Sequence, residues 1–175
     1  IRAKMVAHYA DNARMIVSCL QRHIRYSGLS KAIVSMSKPD LVLVQSQRTA
    51  VMLNDLGVKT EFLPNGVDIK TFSPASEETK KNMKEKYGLD NRFVVLHVGH
   101  IRNERGIRIL GDLVNRDTIV ILVGSTSTKV DRYLSEYLKE KGVLIWRRHF
   151  ENIQDIYSLS DCYLFPVTNH IASIE

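Results

Sequence analysis

The chain is poor in cysteine, proline and tryptophan, and it has no long apolar run. Its 175 residues include two cysteines, four prolines and one tryptophan. Cys19 and Cys162 lie far apart in apolar segments, without the paired spacing of a zinc or redox site. The sequence therefore offers no cysteine-based metal centre, and we expect both cysteines to be reduced residues of the core.

Long hydrophobic stretches are missing as well. No apolar run approaches the roughly 18 residues that span a bilayer, and the first residues lack the apolar centre of a signal peptide. We therefore expect a cytoplasmic protein. A hydrophobic content of 44% is enough for one ordinary core or two small ones.

Positive charge exceeds negative charge along the chain. The 25 basic and 19 acidic residues give a formal net charge of +6. Such a balance suits nucleic acid, anionic membranes or phosphate-bearing ligands. No zinc-finger, RNP or helix-turn-helix pattern accompanies it, so we expect no nucleic-acid partner. Peripheral contact with the inner face of a membrane, through basic helix faces in residues 1–38, stays open.

Five short apolar runs recur, and each is nearly continuous rather than alternating. They are LVLV at 41–44, FVVLHV at 93–98, TIVILV at 118–123, VLIW at 143–146 and CYLF at 162–165. Runs of this length and continuity are typical of strands buried on both faces of a parallel sheet. Segments with helical spacing separate them from residue 93 onward, which predicts a doubly wound α/β domain with a Rossmann-like parallel sheet.

Helix positions follow from apolar spacing and from capping residues. The expected helices are a long amphipathic one over Met5–Ile24, one from Ser46 to Gly57, a hydrophilic one from Ser76 to Gly88, one from Val130 to Gly142 and a short one near Ile153–Tyr157, with a further short strand near Thr60–Leu63. The strands before residue 70 cannot complete a sheet. Residues 1 to about 70 are therefore expected to be the tail of a larger domain.

Four segments of the chain together resemble one known family. They are PDLVLVQSQRTAVMLNDLG, LPNGVDIKTFSP, VLHVGHIRNERGIRIL and VLIWRRHFENIQDIYSLSDCYLFP. In this order and spacing they resemble the retaining GT-B glycosyltransferases of group 1, which include sucrose-phosphate and bacterial glycogen synthases. LPNGVDIKTFSP looks like the family's interdomain linker, in which Pro and Asn-Gly mark a turn and Gly66 can take a positive φ.

The resemblance implies an α/β GT-B fold divided at this linker. Residues 1–74 would be the tail of the N-terminal, acceptor-side domain with the linker, and 75–175 a partial C-terminal nucleotide-sugar-binding domain. The implied reaction moves a hexose-type sugar from a nucleoside-diphosphate donor to a glycan, lipid or small-molecule acceptor with retention of configuration. No metal or other cofactor is implied. Because transfer depends on both domains closing on the cleft, we expect no turnover by this chain alone.

The loop between Gly99 and Gly106 is the expected diphosphate site. It follows a strand and opens a helix near Ile107, so backbone N–H groups and the helix dipole would favour an anion. In the family an Arg follows the first glycine and a Lys lies five positions later. Here these positions hold His100 and Arg105, and Arg105 keeps a permanent charge.

His100 is the less secure replacement, because an imidazole is largely uncharged at neutral pH. Arg102 would compensate from the same loop. We therefore expect donor binding to weaken as the pH rises through the range in which His100 loses its proton. The alternative is a solvated basic turn without a ligand.

The loop after VLIW corresponds to the family's nucleobase side. Arg148 takes the place of a family glycine, and His149 and Phe150 would flank the base. Phe150 is equally compatible with a place in the core.

Glu175 lies where the first of two family glutamates, the one beside the donor sugar, would be expected. It stands further beyond Pro166 than is usual, and an ordinary surface glutamate is an equal alternative. A non-catalytic nucleotide-sugar-binding or scaffolding module on the same fold is the alternative to an enzyme, because His100 and Arg148 replace the expected residues.

Overall fold

A computed structural model of the protein describes residues 14–19 and 39–166. The chain divides into two compact units between Val67 and Asp68. The domain boundary expected after residue 74 stays a prediction.

The described part of the first unit is a small parallel sheet with one helix. Its elements are β1 (Ile16–Cys19), β2 (Leu41–Val44), α1 (Gln47–Asn54) and β3 (Thr60–Phe62). The strand order is β1-β2-β3, and both pairs are parallel. Val42, Val44, Leu53 and Val58 form its buried core.

The front helix expected over Met5–Ile24 is wrong for residues 16–19, which form β1. Ile16 pairs with Leu41 and Val17 with Val42 in a parallel ladder. β-Branched side chains such as these favour a strand once a partner strand is present, whatever their helical spacing. Arg14 and Met15 are not helical either, and the remaining positions of that expected helix, with most of the basic 1–38 segment, lie outside the described residues.

The second unit contains a four-stranded sheet that is parallel throughout. Its strands are β4 (Phe93–Gly99), β5 (Thr118–Gly124), β6 (Leu144–Trp146) and β7 (Cys162–Tyr163). The order is β6-β5-β4-β7, with the two long strands in the centre. The apolar runs at 93, 118, 143 and 162 are thus confirmed as strands, although the last two are shorter than their runs.

Helices of this unit cover both faces of the sheet. They are α2 (Glu77–Lys86), the 3-10 helices Asn103–Arg105 and Ile107–Asp112, α3 (Arg132–Glu140) and α4 (Ile153–Ser158). Ser76 and Asp131 cap α2 and α3 by accepting backbone N–H bonds at 3.1 Å. Leu134 and Leu138 pack under one face, and Ile156 and Leu159 under the other. The doubly wound α/β prediction is therefore confirmed.

Two local expectations were wrong. The turn that opens the second unit is made by Asp68, whose carboxylate accepts the backbone N–H groups of Lys70 and Thr71, and Gly66 does not take a positive φ. Cys162 is an exposed free thiol rather than a core residue. It is exposed because β7 is two residues long and, among the described strands, pairs only with β4.

A network of ion pairs is centred on Asp161, just before β7. Its carboxylate accepts from Lys84 Nζ at 2.8 Å, Lys80 Nζ at 3.0 Å and the Val94 backbone N–H at 2.8 Å. Burial raises the pKa of the Asp161 carboxyl, but these donors outweigh it and the pKa is lowered overall. Asp161 thereby ties α2 to the first residues of β4 and β7.

Candidate functional site

A cavity of about 260 Å³ opens at the carboxyl edge of the second unit's sheet. Its walls include Gly99, His100, Ser125, Arg148, His149 and Phe150. Because parallel strands end at the same edge, the loops after β4, β5 and β6 converge here. Gly99 and Gly124, the last residues of β4 and β5, lie opposite each other in the ladder. The cavity is smaller than typical ligand pockets of about 300–1,000 Å³, so by itself it suits part of a nucleotide.

His100 is half-buried at this cavity. Its Nδ1 lies 3.1 Å from the hydroxyl of Thr128, in the loop that follows β5. This hydrogen bond orients the ring, and it connects the loop after β4 with the loop after β5. An imidazole held in this way can offer a donor to an anion in the cavity.

Arg148 stands between this cavity and a neighbouring hollow of about 660 Å³. Its guanidinium carbon is 4.8 Å from the centre of the Phe150 ring and 5.9 Å from that of Tyr87. Trp146 lies 6.0 Å away and stacks on Tyr87. A guanidinium held over aromatic faces keeps its planar fork of N–H donors, which suits phosphate or a stacked base.

Phe150 has a place in the core, one of the two alternatives that the sequence left open, and its role beside a base stays a prediction. It packs against the core below the sheet, and it also lines the cavity. His149 is exposed at the cavity mouth. The structure therefore brings together Gly99, His100, Arg148, His149 and Phe150, five of the residues that the sequence assigns to the donor site.

Arg102 and Arg105 do not line this cavity. Arg102 is exposed, and its Nη1 lies 3.5 Å from Glu104 Oε1. Arg105 is half-buried, and none of the described residues forms an ion pair or side-chain hydrogen bond with it. Glu175 lies outside the described residues.

The loop backbone differs from the expected helix entrance. Ile107–Asp112 is a six-residue 3-10 helix, too short to supply a strong dipole. The N–H groups of Arg102, Arg105 and Gly106 donate to carbonyl groups within the loop, at 3.0 to 3.1 Å. Side-chain cations rather than these backbone donors would therefore have to bind an anion here.

Behind the loop lies a histidine that sequence reasoning missed. His97 is 1% exposed, and its Nδ1 is 2.8 Å from the carbonyl oxygen of Leu164. Its Nε2 is buried and has no hydrogen-bond partner among the described residues. Burial lowers the pKa of His97 below its ordinary value of 6.5; the charge of Arg105 adds to this, and the bond to Leu164 opposes it. His97 was hidden inside an apolar run.

The loop after β5 was also missed. Ser125 and Thr126 line the cavity, and Thr128 holds His100. The hydroxyl-rich segment STST directly after an apolar strand was the available signal. Because ligands of parallel sheets bind at the carboxyl ends of strands, its position alone pointed to this edge.

Within residues 14–19 and 39–166, no helix is long and apolar enough to cross a membrane. The same residues contain no group of three or more His, Cys, Asp or Glu side chains that could hold a metal ion.

Comparison with models of protein families gave no match, and comparison with curated proteins gave none either. Solved structures do match. HepE from Anabaena in complex with UDP has a TM-score of 0.72 at 18% identity, covering 93% of this chain and 49% of that one. A glycosyltransferase from Rickettsia africae has a TM-score of 0.68 at 19% identity, covering 90% and 46%. HepE in complex with UDP-glucose gives 0.67 at 18% identity, covering 90% and 48%.

The chain thus spans about half the length of each of these structures. At this level of identity the likeness concerns the fold. It agrees with the α/β arrangement of parallel sheets that the resemblance to GT-B glycosyltransferases predicted, and the chain shares that fold with HepE and with the solved glycosyltransferase from Rickettsia africae.

Proposed function

We propose that this chain supplies the nucleotide-sugar site of a glycosyltransferase. The observation that carries the proposal is the cavity at the carboxyl edge of the parallel sheet, where five residues expected at the donor site meet. The shared fold supports it, because two of the similar structures hold UDP or UDP-glucose.

In this proposal the side chains around the cavity share the binding of the nucleotide with two arginines of the neighbouring loop that do not line it. His100 and Arg105 serve the diphosphate, with Arg102 as a further cation from the same loop. Arg148, over its aromatic rings, and His149 and Phe150 serve the base side. As negative charge collects on the departing diphosphate, fixed cations in a partly dry cleft stabilise it without a metal.

The finer parts of the proposal follow the family resemblance. The reaction is transfer of a hexose, with retention, to a glycan, lipid or small molecule, and Glu175 lies beside the donor sugar. The domains are 1–74 and 75–175. The location is cytoplasmic, with peripheral membrane contact. Each of them concerns the whole protein.

A titration of the full chain with UDP, ADP and GDP tests the central proposal. We expect one nucleotide to bind, and Arg148→Ala to weaken its binding about two- to fivefold, because Arg148 is exposed and a cation–π contact at an exposed site is worth roughly 0.5–1 kcal/mol. Arg108→Ala is the matched control. The Arg108 guanidinium carbon lies 3.8 Å from the centre of the Tyr137 ring, and Arg108 does not line the cavity. Binding by none of the three, or equal loss in both variants, would contradict the proposal.

A second candidate is a nucleotide-sugar-binding module without catalysis. His100 favours it, since the family's permanent charge is missing at that position. Full-length protein that binds a nucleotide sugar but releases no nucleotide with any acceptor class would decide for this candidate.

A further inference from the structure

His97 has hydrogen-bonding capacity that the fold leaves unused. Its Nδ1 lies 2.8 Å from the Leu164 carbonyl oxygen, which only accepts, so Nδ1 carries the hydrogen and donates. In the neutral ring Nε2 is then a bare acceptor. That atom is buried without a partner among the described residues. An unpaired buried polar atom is rare enough in native proteins to require a reason.

The reason lies in the first residue of the candidate diphosphate loop. A Cβ atom added to Gly99 would lie 2.8 Å from His97 Nε2, closer than such atoms approach in real structures. Gly99 therefore lacks a side chain because the imidazole occupies that space. On its other sides the ring stacks with Tyr163 at 6.4 Å and Phe165 at 6.1 Å.

The far end of the same loop meets the same segment of chain. Gly106 has a φ of +64°, and a Cβ there would lie 2.9 Å from the carbonyl oxygen of Pro166. The loop between Gly99 and Gly106 thus contacts Pro166 directly at Gly106, and at Gly99 it reaches Leu164 through His97. His97 is the polar connection at the Gly99 end.

We propose that His97 is a positioning residue of the donor site. Its Nδ1–H bond to Leu164 and its Nε2 edge against Gly99 together set the distance between the diphosphate loop and the segment that follows β7. The inference rests on the proposed function, in which this loop binds the donor nucleotide. His97 itself touches no ligand.

The surroundings of the ring require it to be uncharged. The charged and titratable groups that face it are Arg105 from the loop and Tyr163 from β7. A proton on Nε2 would have no acceptor among the described residues, and the positive charge of Arg105 would oppose it.

Two substitutions in the full chain separate the contribution of the Nδ1–H donor from that of the ring. His97→Asn keeps an N–H near the Nδ1 position and removes Nε2, whereas His97→Phe keeps a stacking ring and removes the donor. We measure the affinity for UDP by calorimetry, together with the melting temperature. We expect His97→Phe to weaken UDP binding about tenfold, since the part-buried Leu164 carbonyl loses its donor, and His97→Asn to stay within about threefold. Equal effects in both variants, or no loss in His97→Phe, would overturn the proposal.

A double-mutant cycle tests the contact without any ligand. We expect Gly99→Ala to lower the melting temperature clearly in the parent chain and much less in the His97→Asn background, where the 2.8 Å contact is gone. Additive losses would mean that the ring does not position Gly99. If the parent chain binds none of UDP, ADP and GDP, the proposed function fails, and this cycle alone decides on His97.

Discussion

A polar side chain lies near each end of strand β4: the part-buried Asp161, which precedes β7, at the amino end, and the buried His97 at the carboxyl end. At the amino end Asp161 accepts three hydrogen bonds, two of them from lysines. At the carboxyl end His97 uses one nitrogen, and the other has no partner among the described residues. Satisfied buried polar groups rigidify a structure, whereas unsatisfied ones are costly. The difference teaches that this unit derives stability from the amino edge of its sheet and keeps unused polar capacity at the carboxyl edge.

The largest effect on stability should come from removing the ion pairs at the amino edge of the sheet. Asp161→Ala leaves the ammonium group of Lys84, whose side chain is 7% exposed, without its carboxylate partner. Removing one partner of a buried ion pair costs about 3–5 kcal/mol in the free energy of unfolding. Since Asp161 is itself 16% exposed, we expect the lower part of that range in urea denaturation.

The matched control for this variant is Asp155→Ala. Asp155 pairs with Lys86 at 2.8 Å, but the Lys86 side chain is 54% exposed. An exposed pair of this kind contributes at most about 1 kcal/mol. Similar losses for Asp155→Ala and Asp161→Ala would show that burial does not distinguish the two pairs.

A pH titration of stability should separate the two edges. The pKa of His97 is lowered by burial, so the unfolded chain binds this proton more readily than the folded one. The stability that His97 contributes is therefore present above pH 6.5 and is lost as the pH falls through the folded pKa, with a slope of at most about 1.4 kcal/mol per pH unit.

The lowered pKa of Asp161 also makes the folded chain less stable as the pH falls. That loss of stability begins only as the pH falls below 3.8, the ordinary pKa of an aspartate. We expect the melting temperature of the parent chain to fall between pH 6.5 and pH 5, and that of His97→Asn to fall less. Parallel pH curves for the two proteins would contradict this assignment.

The smallest effect should come from adding a permanent positive charge at the carboxyl edge of the sheet. His100→Arg restores a permanent cation at a half-buried position on the cavity, where the parent imidazole bonds to Thr128. We expect UDP affinity at pH 8 to rise about two- to tenfold, the range of one net hydrogen bond of about 0.5–1.5 kcal/mol, with little change in melting temperature. His100→Gln, which keeps a neutral polar group, is the control. A gain equal to that of His100→Arg would show that charge is not the cause.

The sequence predicted the centre of the second unit well and its margins less well. Runs such as FVVLHV and TIVILV become long central strands, because continuous apolar residues have no other stable place in a parallel sheet. The front segment was wrong at Ile16 and Val17, since helical spacing and β-branching conflict there and only the partner strand decides. The 3-10 form of Ile107–Asp112 depends on tertiary packing that spacing does not encode.

For the candidate site, sequence alone placed five residues that do meet in one cavity, because loops after parallel strands converge whatever their composition. It could not show that Arg102 pairs with Glu104, that Thr128 holds His100, or that His97 lies behind Gly99. These depend on side-chain directions and on contacts between distant segments. A histidine within an apolar strand carries no local mark of such a role.

The bonds of Asp161 also bear on how the second unit folds. Its partners lie 67, 77 and 81 positions earlier in the sequence. Closing so long a loop costs conformational entropy before any bond is gained, so these contacts should form after the central ladder of β4 and β5 has condensed. Interactions that are absent from the transition state act mainly on unfolding. Asp161 should therefore set how slowly the folded unit opens rather than how quickly it forms.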